Sequence, residues 1–199
     1  MSYYANRQEA VAAIIAVARR LDQKQLVTAL TGNISCRLDN DYFLITPSGI
    51  CKATLGSNDI LLLDYDGDCC NHEPAAQHSP SSETRMHLAL YHANTDIRAI
   101  VHAHPPYATA LACSGRELNW QMLEEGRKLL GTLPLLPYLE AGSENLAQAV
   151  VQASLQAPAL LLTGHGAVSW GETLELALAR MEALEHTACV MLYQHLWQS

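Results

Sequence analysis

The chain has 199 residues and a formal net charge of −8 at pH 7, which fits one large acidic domain, and we expect a single domain over residues 1–199. The charge argues against a nucleic-acid partner, because phosphate backbones are bound by clustered basic side chains and the 12 lysines and arginines are scattered. The longest apolar stretch, residues 10–18, is shorter than the roughly 20 residues that cross a bilayer, and the first residues lack a signal-peptide pattern, so we expect no membrane partner and a cytoplasmic protein.

The first half of the sequence predicts one helix followed by a group of strands. Asn6, with Glu9 three residues later, is a typical helix start, and apolar residues then recur at helical spacing through about Leu26. After a glycine-asparagine turn, β-branched and alternating residues predict strands, and a polar turn at residues 39–41 joins two of them into an antiparallel hairpin. The predicted strands cover residues 34–38, 42–46 and 60–65.

The second half alternates helices with two apolar strand segments. The first segment ends in an H-A-H-P-P run, in which the prolines stop the strand and begin the next helix. The second is the apolar run at residues 159–162. Helical patterns cover residues 82–93, 105–113, 118–130, 146–155 and 174–196, the third with a polar interruption. Helices mixed with a hairpin in this way predict an α/β layered domain with a largely antiparallel sheet and helices on its faces.

Three histidines form the most specific pattern in the sequence. His102 and His104 are two residues apart in a predicted strand, so their side chains point to one face of the sheet. His165 lies between two glycines just after the second apolar segment, where the backbone can turn tightly. Three nitrogen ligands leave one zinc position open for water or substrate, which is typical of catalytic zinc. For each histidine alone, the alternative is a hydrogen-bonded residue of the core or the surface.

Three further motifs accompany these histidines, and together they carry a family resemblance. They are L-T-G-N-I-S at residues 30–35, I-T-P-S-G at residues 45–49 and S-P-S-S-E at residues 79–83. In this order and spacing, the motifs resemble the class II, zinc-dependent sugar-phosphate aldolase and adducin head-domain family, most nearly its fuculose-phosphate aldolase branch. The resemblance runs from about residue 31 to about residue 192. It implies a three-layer α/β/α sandwich with a central, largely antiparallel sheet, and a homotetramer with its active sites between subunits.

The resemblance also implies roles for individual residues. One Zn²⁺ per subunit would be bound by His102, His104 and His165, with another divalent metal as the alternative, and Glu83 would be the acid/base group beside it. The substrate phosphate would be held by Gly32, Asn33, Ser48, Gly49, Ser81 and Ser82. Glycine backbone, small polar side chains and a helix start all suit an anion. The residues alone leave two alternatives open, ordinary turns for these pairs and a solvent-exposed helix-start glutamate for Glu83.

The implied chemistry is the cleavage of a carbon–carbon bond next to a ketone. In a zinc-dependent aldolase, a ketose 1-phosphate gives dihydroxyacetone phosphate and an aldehyde through an enediolate, whose charge the zinc stabilises. One alternative is a methylthioribulose-1-phosphate dehydratase-like or decarboxylase activity on a phosphorylated sugar. The other is a non-catalytic interaction module like the adducin head, which shares the fold but lacks the zinc histidines.

The sequence departs from the fuculose-phosphate aldolase pattern at a second acid/base position. That enzyme has a tyrosine between its second and third zinc histidines that acts across a subunit boundary, and the corresponding residue here is Leu123. By resemblance to the dehydratase, Glu124 or Glu125 would supply the missing group. The remaining histidines are expected to be structural or solvated, and they lie at positions 72, 78, 87, 92, 186 and 195.

Overall fold

The computed structural model describes residues 4–71 and 78–198, and these residues are organised around a seven-stranded sheet. In chain order the strands are β1 Asn33–Arg37, β2 Tyr42–Ile45, β3 Leu61–Asp64, β4 Ala99–Ala103, β5 Leu135–Leu136, β6 Ala159–Leu162 and β7 Gly166–Gly171. Their order across the sheet is β3-β2-β1-β4-β7-β6-β5. All neighbouring pairs are antiparallel except β5 with β6, so the predicted largely antiparallel sheet is confirmed.

Helices cover both faces of this sheet. They are α1 Arg7–Gln23, α2 Thr84–Ala93, α3 Pro106–Cys113, α4 Glu124–Leu129, α5 Glu144–Ser154 and α6 Leu174–Gln198, and short 3₁₀ turns occur at Lys52–Thr54, Ser57–Asp59 and Trp120–Met122. No helix in the described part of the chain combines the length and the apolar character needed to cross a membrane.

The alternation of side chains along the strands divides the core into two clusters. In β4, Val101 belongs to the cluster that contains residues of α1, α3 and α6, whereas Ile100 belongs to the cluster that contains residues of α2 and α5. The α4 helix packs against α6, on the first of these faces. The sheet therefore forms the middle layer, and the predicted three-layer α/β/α arrangement is confirmed.

Capping hydrogen bonds confirm the predicted start of α1. The Asn6 side chain accepts a hydrogen bond from the Glu9 backbone N–H at 2.9 Å, and the Glu9 carboxylate accepts one from the Ala5 N–H at 2.7 Å. The helix ends at Gln23, slightly before the predicted position, because Gln25 adopts a left-handed φ of 57°.

Three elements differ from the sequence-based prediction, and one of them is the two-residue β5, which the sequence does not predict. The sequence does not predict β7, since Gly166–Gly171 lacks the alternation of a half-exposed strand; every position in it is buried because helices cover both faces of the sheet. The predicted helix over 118–130 is partly wrong, because extended backbone at Leu123 separates a 3₁₀ turn from the short α4. The chain folds back tightly here, and a side chain at Gly126 would lie 2.1 Å from the Trp120 carbonyl oxygen.

Candidate functional site

Strand pairing brings the three histidines of the sequence motif together. Because β4 and β7 are antiparallel neighbours, Ala103 at the end of β4 pairs with Ala167 near the start of β7. His102 and His104 flank Ala103, and His165 lies in the turn that leads into β7. The ring centroids are 5.0 Å apart for the first pair, and the His165 centroid is 4.8 and 5.2 Å from the other two. The three imidazoles therefore converge on one point.

Two glycines beside His165 make this convergence possible. Gly164 has a φ of 69°, a left-handed conformation that glycine adopts without strain. Gly166 lies directly against β4, because a Cβ there would be 2.3 Å from the Ala103 carbonyl oxygen and 3.0 Å from Cδ2 of His104. The turn between β6 and β7 can approach the end of β4 only because this side chain is missing.

Glu83 lies against the same histidines at the start of α2. The residue is only 5% exposed. Its Oε2 is 2.9 Å from Nε2 of His102, and its Oε1 is 3.3 Å from Nε2 of His165. The alternative of a solvent-exposed helix-start glutamate is therefore wrong.

The buried carboxylate and the imidazoles shift one another's protonation. Burial alone would raise the pKa of the Glu83 carboxyl, but the neighbouring rings of His102 and His165 hold that pKa well below its ordinary value. Burial would lower the pKa of His102, yet Glu83 raises it above the ordinary value. Burial and repulsion from the other two rings lower the pKa of His104 to about 4. At neutral pH, Glu83 is thus ionised and His104 keeps a nitrogen lone pair.

The donor atoms of these histidines fit a metal ion. The nitrogens that the three rings offer all lie within 4.8 Å of one another. His102 Nδ1 donates to the Ala167 carbonyl oxygen at 2.9 Å, since a carbonyl only accepts. In the neutral ring this leaves a lone pair on Nε2, which is 3.1 Å from Nε2 of His104. Two nitrogen ligands of a tetrahedral ion are about 3.4 Å apart. Nitrogen lone pairs and a carboxylate oxygen that face each other at such distances repel one another. A cation bound between them would stabilise this arrangement.

A cavity of about 190 Å³ adjoins these groups. Its lining includes most of the residues predicted for the site, namely Gly32, Asn33, Ser48, Ser81, Ser82, Glu83, His104 and His165. Two of the contributing loops are joined, because the Ser48 N–H donates to the Ser79 carbonyl at 2.9 Å and Pro47 forms a bridge with Pro80. Separate sequence motifs thus meet in one small polar space.

Two of the predicted site residues do not line this cavity: His102, which is fully buried behind Glu83, and Gly49. Gly49 is exposed and has a φ of 74°, so it forms the turn that follows Ser48. Conversely, Leu30, Thr31, Pro47 and Ala141 line the cavity without having been predicted. The neighbour of Ala141 explains its position, because a Cβ on Gly142 would lie 2.7 Å from the Ser82 carbonyl oxygen. The sequence here signals only the start of α5, and a helix start does not reveal which loop it contacts.

Asn33 is bound on both sides of its amide. Its Nδ2 donates to Oε2 of Glu83 at 2.9 Å, and its Oδ1 accepts from Nε2 of His87 at 2.6 Å. An amide nitrogen carries two hydrogens, so one N–H remains for another acceptor. The side chain that was predicted to bind phosphate is therefore first of all a partner of the carboxylate.

The two candidates for a second acid/base group lie elsewhere in this chain. Glu124 pairs with Lys128 at 3.1 Å, and Oε1 of Glu125 is 3.5 Å from Nε2 of His186. Neither glutamate lines the cavity beside Glu83. Within the described part of one chain, neither of them reaches His102, His104 or His165.

The remaining histidines differ in their surroundings. Exposed His92 donates through Nε2 to the Tyr65 carbonyl oxygen at 2.9 Å, as expected for a solvated residue. His87, on the same helix, is fully buried and has both ring nitrogens in hydrogen bonds. His72 lies outside the described residues.

Comparison with known proteins agrees with this architecture. Residues 12–192 match the family described as Class II Aldolase and Adducin N-terminal domain. A 3-oxo-tetronate 4-phosphate decarboxylase from Escherichia coli CFT073 is 33% identical over 176 residues, which cover 86% of this chain and 81% of the relative. A methylthioribulose-1-phosphate dehydratase from Gluconacetobacter diazotrophicus is 34% identical over 186 residues, which cover 88% of this chain and 89% of the relative.

A solved structure shows the same fold at similar identity. The crystal structure of L-fuculose-1-phosphate aldolase from Thermus thermophilus has a TM-score of 0.83 and 32% identity, and the match covers 96% of this chain and 97% of that one. Because the family match spans most of the sequence, and the relatives share its length and fold, the chain belongs to the class II aldolase and adducin N-terminal domain family and is similar over most of its length to lyases of that family.

Proposed function

We propose that the chain is a zinc-dependent lyase that cleaves a carbon–carbon bond next to the ketone of a phosphorylated sugar. The observation that carries the proposal is the convergence of buried Glu83 and three imidazoles beside a cavity lined by small polar loops. The three histidines would hold one Zn²⁺ per subunit, and because other divalent metals bind the same donors, the ion has to be identified by measurement. When bound, the ion supplies a Lewis acid that stabilises negative charge on substrate oxygens.

Glu83 is the residue that we assign to proton transfer. Its Oε2 accepts a hydrogen bond from Asn33, whereas its buried Oε1 makes no hydrogen bond with the described residues, although Nε2 of His165 lies 3.3 Å away. The residue lines the cavity, so the carboxylate can reach a bound substrate. One oxygen of this ionised carboxylate is fixed by a hydrogen bond and the other makes none in the described part of the chain. Such a carboxylate is suited to take a proton from the carbon next to a ketone, or to return it.

We assign the substrate phosphate to the polar loops that line the cavity around Glu83. Ser81 and Ser82 lie just before α2, where the helix dipole favours an anion. The Ser81 hydroxyl oxygen accepts the Glu83 N–H at 3.3 Å, so its own O–H stays available as a donor. Gly32, Ser48 and the remaining N–H of Asn33 complete the proposed anion site.

The first candidate reaction is the aldol cleavage of a ketose 1-phosphate of the fuculose-phosphate type. Bond cleavage releases an aldehyde and leaves a three-carbon enediolate, which gives dihydroxyacetone phosphate when its carbon is protonated. The hydroxyl group on the carbon that becomes the aldehyde must also lose its proton to a base as the carbon–carbon bond breaks. Since Glu124 and Glu125 lie away from their own cavity, they would have to act in the site of a neighbouring subunit.

A specific observation supports decarboxylation as the second candidate. Glu83 supplies the only carboxylate among the described residues that line the cavity. Loss of carbon dioxide from a 3-oxo-tetronate 4-phosphate needs no base to deprotonate a substrate hydroxyl group, and protonation of the resulting enediolate gives the same dihydroxyacetone phosphate. Dehydration of methylthioribulose 1-phosphate is the remaining alternative, because it needs the same metal and phosphate site but cleaves no carbon–carbon bond.

We also propose that the chain acts as a single domain in a cytoplasmic homotetramer. Phosphorylated sugars are charged and do not cross membranes, which favours the cytoplasm, and the tetramer follows from the resemblance to fuculose-phosphate aldolase. Light scattering on the zinc-loaded protein should give the mass of four subunits. A monomer that is fully active would contradict the proposal that a neighbour contributes to the site.

A substrate panel tests the reaction. Zinc-loaded protein is incubated with L-fuculose 1-phosphate, 3-oxo-tetronate 4-phosphate and methylthioribulose 1-phosphate, and dihydroxyacetone phosphate, carbon dioxide and water loss are measured separately. We expect dihydroxyacetone phosphate from one of the first two substrates. Water loss alone would select the dehydratase alternative, and no turnover of any of the three would contradict a lyase acting on these substrates.

A further inference from the structure

A ladder of buried polar side chains leads from Glu83 into the core. We call polar ladder the five residues Glu83, Asn33, His87, Ser35 and Tyr91, each of which is at most 5% exposed. In that order, their side chains are joined by four hydrogen bonds of 2.9, 2.6, 2.6 and 2.7 Å. Only the first two members line the cavity. The other three therefore support the site from behind.

The polar ladder forms because two spacings match. Glu83, His87 and Tyr91 are four residues apart along the start and the length of α2, so they lie on one face of the helix. Asn33 and Ser35 are two apart in β1 and point to one face of the sheet. Four helical residues rise about 6.0 Å, and two strand residues rise about 6.6–6.8 Å. The two rows stay in step, and each strand side chain lies between two helix side chains.

Donor and acceptor rules give the polar ladder a single direction. An ionised carboxylate only accepts, so Asn33 presents its N–H group to Glu83 and its carbonyl oxygen to His87. That oxygen only accepts, so Nε2 of His87 carries the ring proton. Burial lowers the pKa of His87 to about 3, and in the neutral ring Nδ1 accepts the Ser35 hydroxyl, which in turn accepts the Tyr91 hydroxyl. Every donor thus points towards Glu83.

We propose that His87 is a positioning residue of the lyase site, which acts through Asn33 to hold the Glu83 carboxylate in place; this rests on the proposed role of Glu83 in proton transfer. An amide side chain can rotate by half a turn and exchange its oxygen and nitrogen. With Nε2–H of His87 on its oxygen, Asn33 is held with the N–H towards Glu83. Without that donor, the amide oxygen loses its partner, so the side chain can move away and its N–H no longer fixes the position of the carboxylate.

The kinetic test compares three single variants. His87→Leu should lower kcat by about 10–100-fold, because a displacement of about 1 Å at a reacting group costs on that order. Its KM should change by a smaller factor, and its zinc content should remain. His87→Gln should recover most of the rate, because its amide nitrogen can donate near the position of Nε2. The matched control is His92→Gln on the exposed face of the same helix, which should behave like wild type. A wild-type kcat in His87→Leu would overturn the proposal.

A double-mutant cycle shows whether His87 acts through Asn33. If it does, His87→Leu should have little further effect on kcat once Asn33→Ala has removed the intermediate partner. A residue that only stabilises the fold would lower kcat by the same factor in both backgrounds. Additive effects would therefore overturn the proposal even if each single variant is impaired.

The direction of the polar ladder can be measured without any activity and without a variant. Nitrogen NMR of the zinc-loaded protein, labelled with ¹⁵N-histidine, should show His87 with a protonated Nε2 and an unprotonated Nδ1. The opposite tautomer, or a doubly protonated ring, would overturn the proposal. If the expected tautomer is found while no substrate is turned over, the proposed function fails and the hydrogen-bond arrangement stands, so the two failures are distinguishable.

Discussion

Replacement of Gly166 by alanine tests whether close packing between β4 and the β6–β7 turn creates the histidine cluster. The new Cβ would lie 2.3 Å from the Ala103 carbonyl oxygen, whereas ordinary contacts of a Cβ begin at 3.4 Å. The two backbone segments would therefore have to separate by roughly 1 Å. Gly166 has no positive φ, so the expected effect is steric and does not arise from backbone strain.

Gly166→Ala should have two separate effects, a loss of thermal stability and a loss of affinity for zinc. Crowding of a packed interior costs about 1–3 kcal/mol, and in a protein of this size each kcal/mol lowers the Tm by about 2–4 °C. The metal-free protein should therefore unfold roughly 2–12 °C lower. Metal sites tolerate changes of only about 0.2 Å in ligand distance. Because the alanine separates His104 from His165, the affinity for zinc should fall by about 10–100-fold, the range seen when ligand orientation is lost.

Gly115→Ala is the matched control for this prediction. Gly115 has a φ of 68° and open space around its Cβ position, so alanine there should cost about 1–2 kcal/mol of backbone strain and leave zinc affinity unchanged. Thermal unfolding in the presence of a chelator measures stability, and titration against a competing chelator measures affinity. The reasoning is refuted if Gly166→Ala binds zinc as tightly as the wild type, because the crowding would then not reach the ligands.

Three further changes test individual roles. Glu83→Gln keeps the shape of the side chain but cannot accept the proton, so kcat should fall by about a hundredfold or more at full zinc content, and a near-normal rate would remove Glu83 from the mechanism. Ser82→Ala should raise KM more than it lowers kcat and weaken inhibition by inorganic phosphate, because a phosphate remote from the reacting carbons is bound similarly in ground and transition states; unchanged values would place the anion elsewhere. Elemental analysis should find zinc lost in His104→Ala and kept in His92→Ala, and equal contents would contradict the ligand assignment.

Local signals identify the candidate metal site in the sequence, whereas the approach of its residues depends on long-range strand pairing. Residues two apart in a strand always share a face, so the convergence of His102 with His104 needs no tertiary information. Their approach to His165 depends on the pairing of β4 with β7, and β7 carries no strand pattern because it is buried on both faces. The glycine on each side of His165 was the local indication that the chain turns there, and the second of them turned out to be required for the approach itself.

The loops proposed to bind phosphate show that similarity to a motif does not locate each of its residues in the fold. Ser48 and Gly49 are adjacent in one motif, yet only Ser48 lines the cavity, because the turn that needs the positive φ of Gly49 directs that residue to solvent. Ala141 has no polar group and belongs to no predicted motif, and it reaches the cavity only through the packing of Gly142 on Ser82. In both cases, backbone geometry and packing set the position of the residue, whereas the motifs record only the chemistry of the side chains.

The spacing of polar residues in α2 contains a signal that His87 is buried and hydrogen-bonded. As an isolated histidine it is indistinguishable from exposed His92 on the same helix. Taken with Glu83 and Tyr91, however, it belongs to a polar row at every fourth position, beside the buried apolar residues of α2. Polar groups on the buried face of a helix are costly unless they are paired. Such a row therefore predicts polar partners at every second position of the strand beneath it, and this is the spacing of Asn33 and Ser35 in β1.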